Sequence, residues 1–189
     1  MIDQGARLVD IALENKSVFD DDGFKYISES FADHTLHFIG LLSDGGVHSR
    51  TDQLFLFIRG AAERGAKRIR VHVLTDGRDV PDGSSVRFVS ELEEVLKSLP
   101  AGVDAKIASG GGRMRVTMDR YEADWKIVER GWKAHVLGEA PHTFKDAKTA
   151  VETLRGSGDD AVSDQWLDPF VIVDDAGVPV GAIEDGDAV

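Results

Sequence analysis

The chain alternates between two hydrophobic periods. Ile2, Ala6, Val9 and Leu13 recur at helical spacing and predict an amphipathic helix over residues 3–15. Asp20-Asp21-Asp22-Gly23 interrupts that pattern, and a second short helix fits around 24–31. Leu36–Leu42 is then a continuous apolar run, long enough for a buried strand and too short for a core helix. It ends in Ser43-Asp44-Gly45-Gly46, a turn. Leu54, Ile58, Ala61 and Ala62 mark the next helix, which Gly65 stops. The same cycle repeats with a strand at Arg68–Leu74, a turn at Asp76-Gly77, and a helix through Val89, Leu92, Leu96 and Leu99 that Pro100 closes. Asp104–Ala108 predicts a third strand and Ser109-Gly110-Gly111-Gly112 a third turn.

Beyond it, Met118, Tyr121, Trp125, Val128 and Trp132 predict a helix with a bulky buried stripe. Ala134–Leu137 reads as a fourth short strand. Thr143-Phe144-Lys145-Asp146 resembles a capping box ahead of Ala147, Ala150, Val151 and Leu154. Phe170–Val173 and Val178–Ile183 flank Asp174-Asp175-Ala176-Gly177 and read as a terminal hairpin. Strands alternating with helices predict a three-layer α/β/α sandwich with a mainly parallel sheet and a C-terminal β-hairpin. In such sheets ligands bind at the carboxyl ends of the strands. Residues 43–50, 76–82 and 109–120 are therefore where function is to be sought.

Composition narrows the chemistry. The 189 residues carry 22 Lys+Arg against 34 Asp+Glu, a net charge of −12. That balance argues against nucleic acid or an anionic membrane as the main partner, while a local arginine cluster can still hold a small anion. The absence of cysteine excludes disulfides, thiolate zinc sites and a cysteine nucleophile. No apolar run is long enough to span a bilayer, and the first residues lack signal-peptide character, so a cytoplasmic location is expected.

Each of the three loops holds candidate residues. In Ser43–Arg50, two glycines permit close backbone approach and His48 precedes a helix. His48 either donates to an anion or moves a proton, or it caps and packs beneath the loop. Asp76-Gly77-Arg78-Asp79 is either a solvated turn with an internal ion pair or an arginine fork for a carboxylate or phosphate. In the second case Asp79 is placed to hold a hydroxyl or take its proton. Ser109–Arg115 resembles a phosphate cradle, with Arg113, Arg115 and Arg120 supplying charge, although it is neither a Walker A loop nor a dinucleotide fingerprint. Asp20–Glu29 matches part of an EF-hand loop but has Val18 at its first ligand position, so calcium is not expected. His34 and His37 straddle a strand start, where side chains three apart point to opposite faces, so zinc is not expected there.

Leu41–Ser49, Asp76-Gly77-Arg78-Asp79, Arg113 and Met118-Asp119-Arg120, in that order, resemble the 2,3-bisphosphoglycerate-independent (cofactor-independent) phosphoglycerate mutases. The resemblance extends through Trp125, Val136–Glu139, Pro169–Ile172 and Asp185–Val189, and is strongest to the plant and trypanosomatid type. It implies a phosphotransferase (substrate-binding) domain over residues 34–189 preceded by a helical segment over 1–33. It also implies a phosphatase-like domain that this chain lacks, carrying the serine nucleophile and ligands for two divalent, manganese-type ions. The resemblance assigns His48, Arg78, Asp79, Arg113 and Arg120 to substrate binding, with Asp79 also handling the hydroxyl proton. No metal or other cofactor is expected on this chain itself. The full-length protein, by the same resemblance, interconverts 3-phosphoglycerate and 2-phosphoglycerate in glycolysis and gluconeogenesis, as a monomer. The fragment alone is expected to be inactive as a mutase. A non-catalytic module that binds a phosphorylated metabolite is the alternative.

Overall fold

The computed structural model describes residues 5–118 and 122–189. Among the described residues five strands form one sheet in the order β1-β2-β3-β5-β4: β1 (Leu36–Leu42), β2 (Arg68–Thr75), β3 (Asp104–Gly112), β4 (His142–Phe144) and β5 (Phe170–Ile172). β1, β2 and β3 run parallel, whereas β5 is antiparallel to β3 and parallel to β4. The helices are α1 (Gly5–Glu14), α2 (Asp22–Ser28), α3 (Thr51–Glu63), α4 (Ser85–Lys97), α5 (Trp125–Trp132) and α6 (Ala147–Arg155).

The core explains the sequence pattern. Ile69, Val71 and Val73, on one face of β2, pack with Ile58 of α3, Phe88, Val89 and Leu92 of α4 and Ala150 and Val151 of α6. Each fully buried Val, Ile, Leu or Phe among them contributes roughly 1.5–3 kcal/mol. Leu13, Phe19, Phe24 and Phe31 belong to the same core, so residues 5–33 pack into the domain rather than stand apart. The opposite sheet face is covered more thinly, by a wide helical turn at Lys133–Leu137 that continues α5 and by the C-terminal coil. There Gly181 lies against Ala108 and the Arg70 side chain, too close for any Cβ.

β3 carries a bulge. Val71 pairs with Ile107 but His72 pairs with Ser109, so Ala108 is the extra residue. The skip turns Ser109 onto the thin face beside His72, where regular alternation would have turned it to the helical face.

Several predicted elements are corrected. Ala134–Leu137 is helical, because Ala134 and His135 bury against the sheet as a continuation of α5; a short apolar run does not distinguish helix from strand. Ser109–Gly112 extends β3 instead of forming a turn. The second arm of the C-terminal hairpin is not a strand: it makes one isolated bridge, Val173 to Pro179, beside the Asp174–Val178 turn. Asp146, not Thr143, caps α6, accepting from the Thr149 backbone N–H at 2.7 Å, and Thr143 lies in β4, which the pattern missed. The stripe expected to be buried on α5 faces outward, with Trp125 63% and Trp132 59% exposed. Tyr121 of that stripe lies outside the described residues.

Candidate functional site

The parallel register aligns Leu42, Thr75 and Gly112 at the carboxyl ends of β1, β2 and β3. The residues one step beyond, Ser43, Asp76 and Arg113, consequently meet side by side. Asp76 is fully buried and accepts from the Ser43 hydroxyl at 2.6 Å, the backbone N–H groups of Arg78 and Asp79 at 3.0 and 3.1 Å, and Arg113 Nη1 at 2.9 Å. Burial alone would raise its pKa. The donors from Ser43, Asp79, Arg78 and Arg113 outweigh that and hold the carboxyl below its ordinary value. Ser43 in turn accepts from the Gly45 N–H at 3.2 Å. Asp76 therefore ties the first loop, the second loop and Arg113 into one unit.

Arg113 Nη1 also donates to Asp79 Oδ2 at 2.6 Å. Burial works against its charge, but bonds to Asp79 and Asp76 raise its pKa, so the guanidinium stays ionised in a nearly closed site. The Arg113 backbone N–H is spent on the Thr75 carbonyl at 3.0 Å, which fixes where its side chain begins. His48 Nε2 lies 3.9 Å from Asp79 Oδ2, with the imidazole about half exposed. The backbone of Gly45 runs so close to Asp79 that a Cβ there would sit 3.0 Å from its carbonyl oxygen. The result is a small polar patch: Asp79 at its centre, Arg113 on the buried side and His48 on the open side. Arg78 projects outward, its backbone locked by Asp76.

Four of the five residues singled out in the sequence, His48, Arg78, Asp79 and Arg113, thus lie at the same strand ends. Arg120 lies outside the described residues. Arg115 turns away and pairs with Asp168 at 3.0 Å from its Nε. The glycine triplet is not a cradle. The Gly112 N–H is consumed by the Leu167 carbonyl at 2.8 Å, and a Cβ on Gly110 would overlap Phe170 and Val73. Its glycines let β3 touch the segment leading into β5. Asp76 and Ser43 are the residues sequence reasoning passed over as turn formers. The available signal was their position, each directly after a buried strand.

The sequence model of the family described as BPG-independent PGAM N-terminus matches residues 9–189. The chain belongs to that family. Among its relatives, the 2,3-bisphosphoglycerate-independent phosphoglycerate mutase of Prunus dulcis is 67% identical over 187 residues, covering 98% of this chain and 38% of the relative. That of Trypanosoma brucei brucei is 59% identical over 189 residues, covering 98% of this chain and 34% of the relative. The crystal structure of Leishmania mexicana phosphoglycerate mutase, described as at low cobalt concentration, superposes with a TM-score of 0.94 at 57% identity, over 98% of this chain and 34% of that one. This member of the mutase family therefore spans about a third of the length of these relatives.

Among the described residues no group of three or more His, Asp or Glu side chains is arranged to hold a metal ion. His34 and His37, expected to diverge, both approach Asp187, at 3.9 and 3.1 Å, because the C-terminal coil brings that carboxylate to the start of β1. No helix among the described residues is long and apolar enough to cross a membrane.

Proposed function

We propose that this chain is the substrate-holding phosphotransferase part of a phosphoglycerate mutase, binding 3-phosphoglycerate and 2-phosphoglycerate. The observation that carries the reading is the Asp79–Arg113 pair, braced by buried Asp76 where three parallel strands end. Family membership favours it over a non-catalytic metabolite-binding module.

In this reading the arginines meet the anionic groups of the substrate. Arg113 is pre-oriented by two carboxylates and Arg78 reaches from the rim, and the family resemblance adds Arg120 to substrate binding. Arginine suits the task because its planar fork matches two oxygens of a carboxylate or phosphate. Asp79 accepts the proton of the glycerate hydroxyl as that oxygen attacks phosphorus. The new P–O bond forms as the bond to a serine oxygen of the second domain breaks, and the departing electron pair stays on the serine. His48, beside Asp79 and open to the ligand, donates a hydrogen bond to the substrate. The serine and two divalent ions belong, in this reading, to the remainder of the full-length protein. The described residues of this chain hold no side-chain group arranged for a metal ion. Retaining glycerate between the two transfers requires a closed, water-poor site, so the two domains close over it. The protein works in the cytoplasm as a monomer, and this chain alone does not isomerise.

Titration of the ¹⁵N-labelled chain with 3-phosphoglycerate tests the reading, with inorganic sulfate as the control anion. Resonances of His48, Arg78, Asp79 and Arg113 should move with 3-phosphoglycerate and more weakly with sulfate. Unmoved resonances at millimolar 3-phosphoglycerate would overturn it.

A further inference from the structure

A second polar assembly lies on the thin face of the sheet and shares no residue with the site above. Asp187 Oδ2 faces His37 Nε2 at 3.1 Å, and His37 Nδ1 faces His72 Nε2 at 2.9 Å. His72 Nδ1 lies 2.7 Å from Ser109 Oγ, which lies 2.8 Å from His135 Nδ1. His135 Nε2 completes the line, 3.1 Å from Thr117 Oγ1. The three imidazoles and Ser109 are all buried, and together they bridge β1, β2, β3 and the turn after α5. Only the bulge at Ala108 lets Ser109 take its place in the line.

The direction of every bond follows from one end. Asp187 is held in its charged, acceptor-only form by backbone N–H groups of Glu184 and Thr35, at 2.9 and 2.8 Å. Its His37 partner must then carry the proton on Nε2, which leaves His37 Nδ1 to accept from His72 Nε2–H. His72 Nδ1 accepts from the Ser109 hydroxyl, and Ser109 accepts from His135 Nδ1–H. His135 Nε2 is left as an acceptor, and Thr117 must donate to it. Five bonds share one polarity with neutral rings throughout, an arrangement in which each bond strengthens the next. Burial holds the rings neutral, pushing His72 to about 2 and His135 to about 4.

Thr117 is where this line reaches the surface, and its backbone is strained. It is a β-branched residue at φ 67°. Three features hold it there: its N–H donates to the Ile127 carbonyl at 3.0 Å, its hydroxyl meets His135, and Gly131 leaves room. A Cβ at Gly131 would lie 2.8 Å from the Thr117 nitrogen. Thr117 closes the arm that starts at Arg113, and the turn bonds Arg115 N–H and Val116 N–H to the Gly112 carbonyl at 2.7 and 3.1 Å make the arm one unit.

We propose that Thr117, acting through His135 and the one-way chain anchored on Asp187, is a positioning residue for the Arg113 arm. The proposal takes the substrate role of Arg113 from the function proposed above, but its geometric content is measurable without ligand.

Long-range ¹H–¹⁵N spectra of the histidine rings, together with the Arg113 Nε–H resonance, test it. His37 and His72 should be Nε2–H tautomers and His135 the Nδ1–H tautomer; His135 protonated on Nε2 would overturn the chain, and no variant is needed to see it. In Thr117→Val the His135 and His72 ring nitrogens and the Arg113 Nε–H should shift, and Thr117→Ser should restore all three. An Arg113 resonance that ignores Thr117→Val would overturn the positioning role, as would one that moves equally in Thr117→Ser. Where wild type binds 3-phosphoglycerate, Thr117→Val should weaken binding about fivefold and Thr117→Ser by less than about twofold, the loss expected for one hydrogen bond. Equal affinity in wild type and Thr117→Val would overturn the role too. If wild type does not bind at all, the functional reading falls while the ring and Arg113 resonances still decide this one.

Discussion

Mild acid should destabilise this chain well before its carboxylates titrate. The perturbation is a drop from about pH 7.5 to about pH 5.5. His135 and His72 are held neutral in the fold by burial, at about 4 and about 2 against an ordinary 6.5, and His37 is lowered in the same direction by burial despite Asp187. Once unfolded, each ring binds a proton as the pH falls through its ordinary value, and the folded ring does not. The unfolded state therefore holds more protons throughout this window, and stability declines as pH falls. Each such ring loses about 1.4 kcal/mol over those two pH units, so His72 and His135 together remove about 3 kcal/mol and His37 adds to the loss. The low-lying carboxylates Asp76, Asp104 and Asp187 act in the opposite region. Their folded values are depressed below 3.8, so their contributions are intact above about pH 4 and are lost only below it. Urea unfolding followed by circular dichroism at the two pH values measures the effect. At about 1–3 kcal/mol per molar urea, the midpoint should fall by about 1–3 M. His135→Gln should flatten the dependence by about 1.4 kcal/mol over the same window whatever its own stability. A midpoint that is unchanged or rises on acidification would refute the neutral-histidine account.

Three further outcomes follow from the packing. Arg113→Met should cost about 3–5 kcal/mol by leaving buried Asp76 without its cation, whereas Asp76→Asn, which keeps an acceptor in place, should cost about half that; melting curves of the two variants check the order. Gly112→Ala should destabilise by about 1–3 kcal/mol or more, because the new methyl would sit 2.5 Å from the Leu167 backbone nitrogen, and urea titration measures it. Replacing Trp125 or Trp132 by Ser should change stability by no more than about 0.5 kcal/mol, and both indoles should be readily quenched by acrylamide in the folded chain.

Much of the sheet was legible because β1 is an almost wholly apolar run, while Ile69, Val71 and Val73 of β2 and Ala105 and Ile107 of β3 alternate with polar residues. Their parallel order followed from the intervening helices α3 and α4. The glycines of β3 were opaque for a physical reason: their lack of side chains mimics a turn, while its use is the close approach of the Leu167–Phe170 segment, which is distant in sequence. The outward stripe of α5 had the period of a core helix, and periodicity reports a face without saying what covers it. At the site, His48, Arg78, Asp79 and Arg113 were legible as charged residues in loops after strands. Asp76 was not, since its importance lies in four donors converging from three loops, a property of the register. The histidine line was equally hidden, because His37, His72 and His135 are far apart in sequence and His72 reaches His135 only through Ser109, which the extra residue in β3 turns toward them.

The two margins of the sheet have unequal colloidal consequences. β4 is three residues long, too brief a template for another chain. β1 runs for seven residues without a lysine, glutamate, aspartate or proline, and Ile39 and Gly40 are open to solvent. Among the described residues it is engaged from outside at its start, where Ala188 bridges Leu36 in parallel and the His37 N–H meets the Ala188 carbonyl at 2.8 Å, and near its end, where the Ser49 hydroxyl donates to the Leu41 carbonyl at 2.6 Å. Between those two points, at Phe38–Gly40, it has the features natural proteins remove from a margin to prevent edge-to-edge association. Handled by itself at high concentration, the chain is set to self-associate through β1. A lysine in place of Ile39 is the smallest change that would keep it in solution.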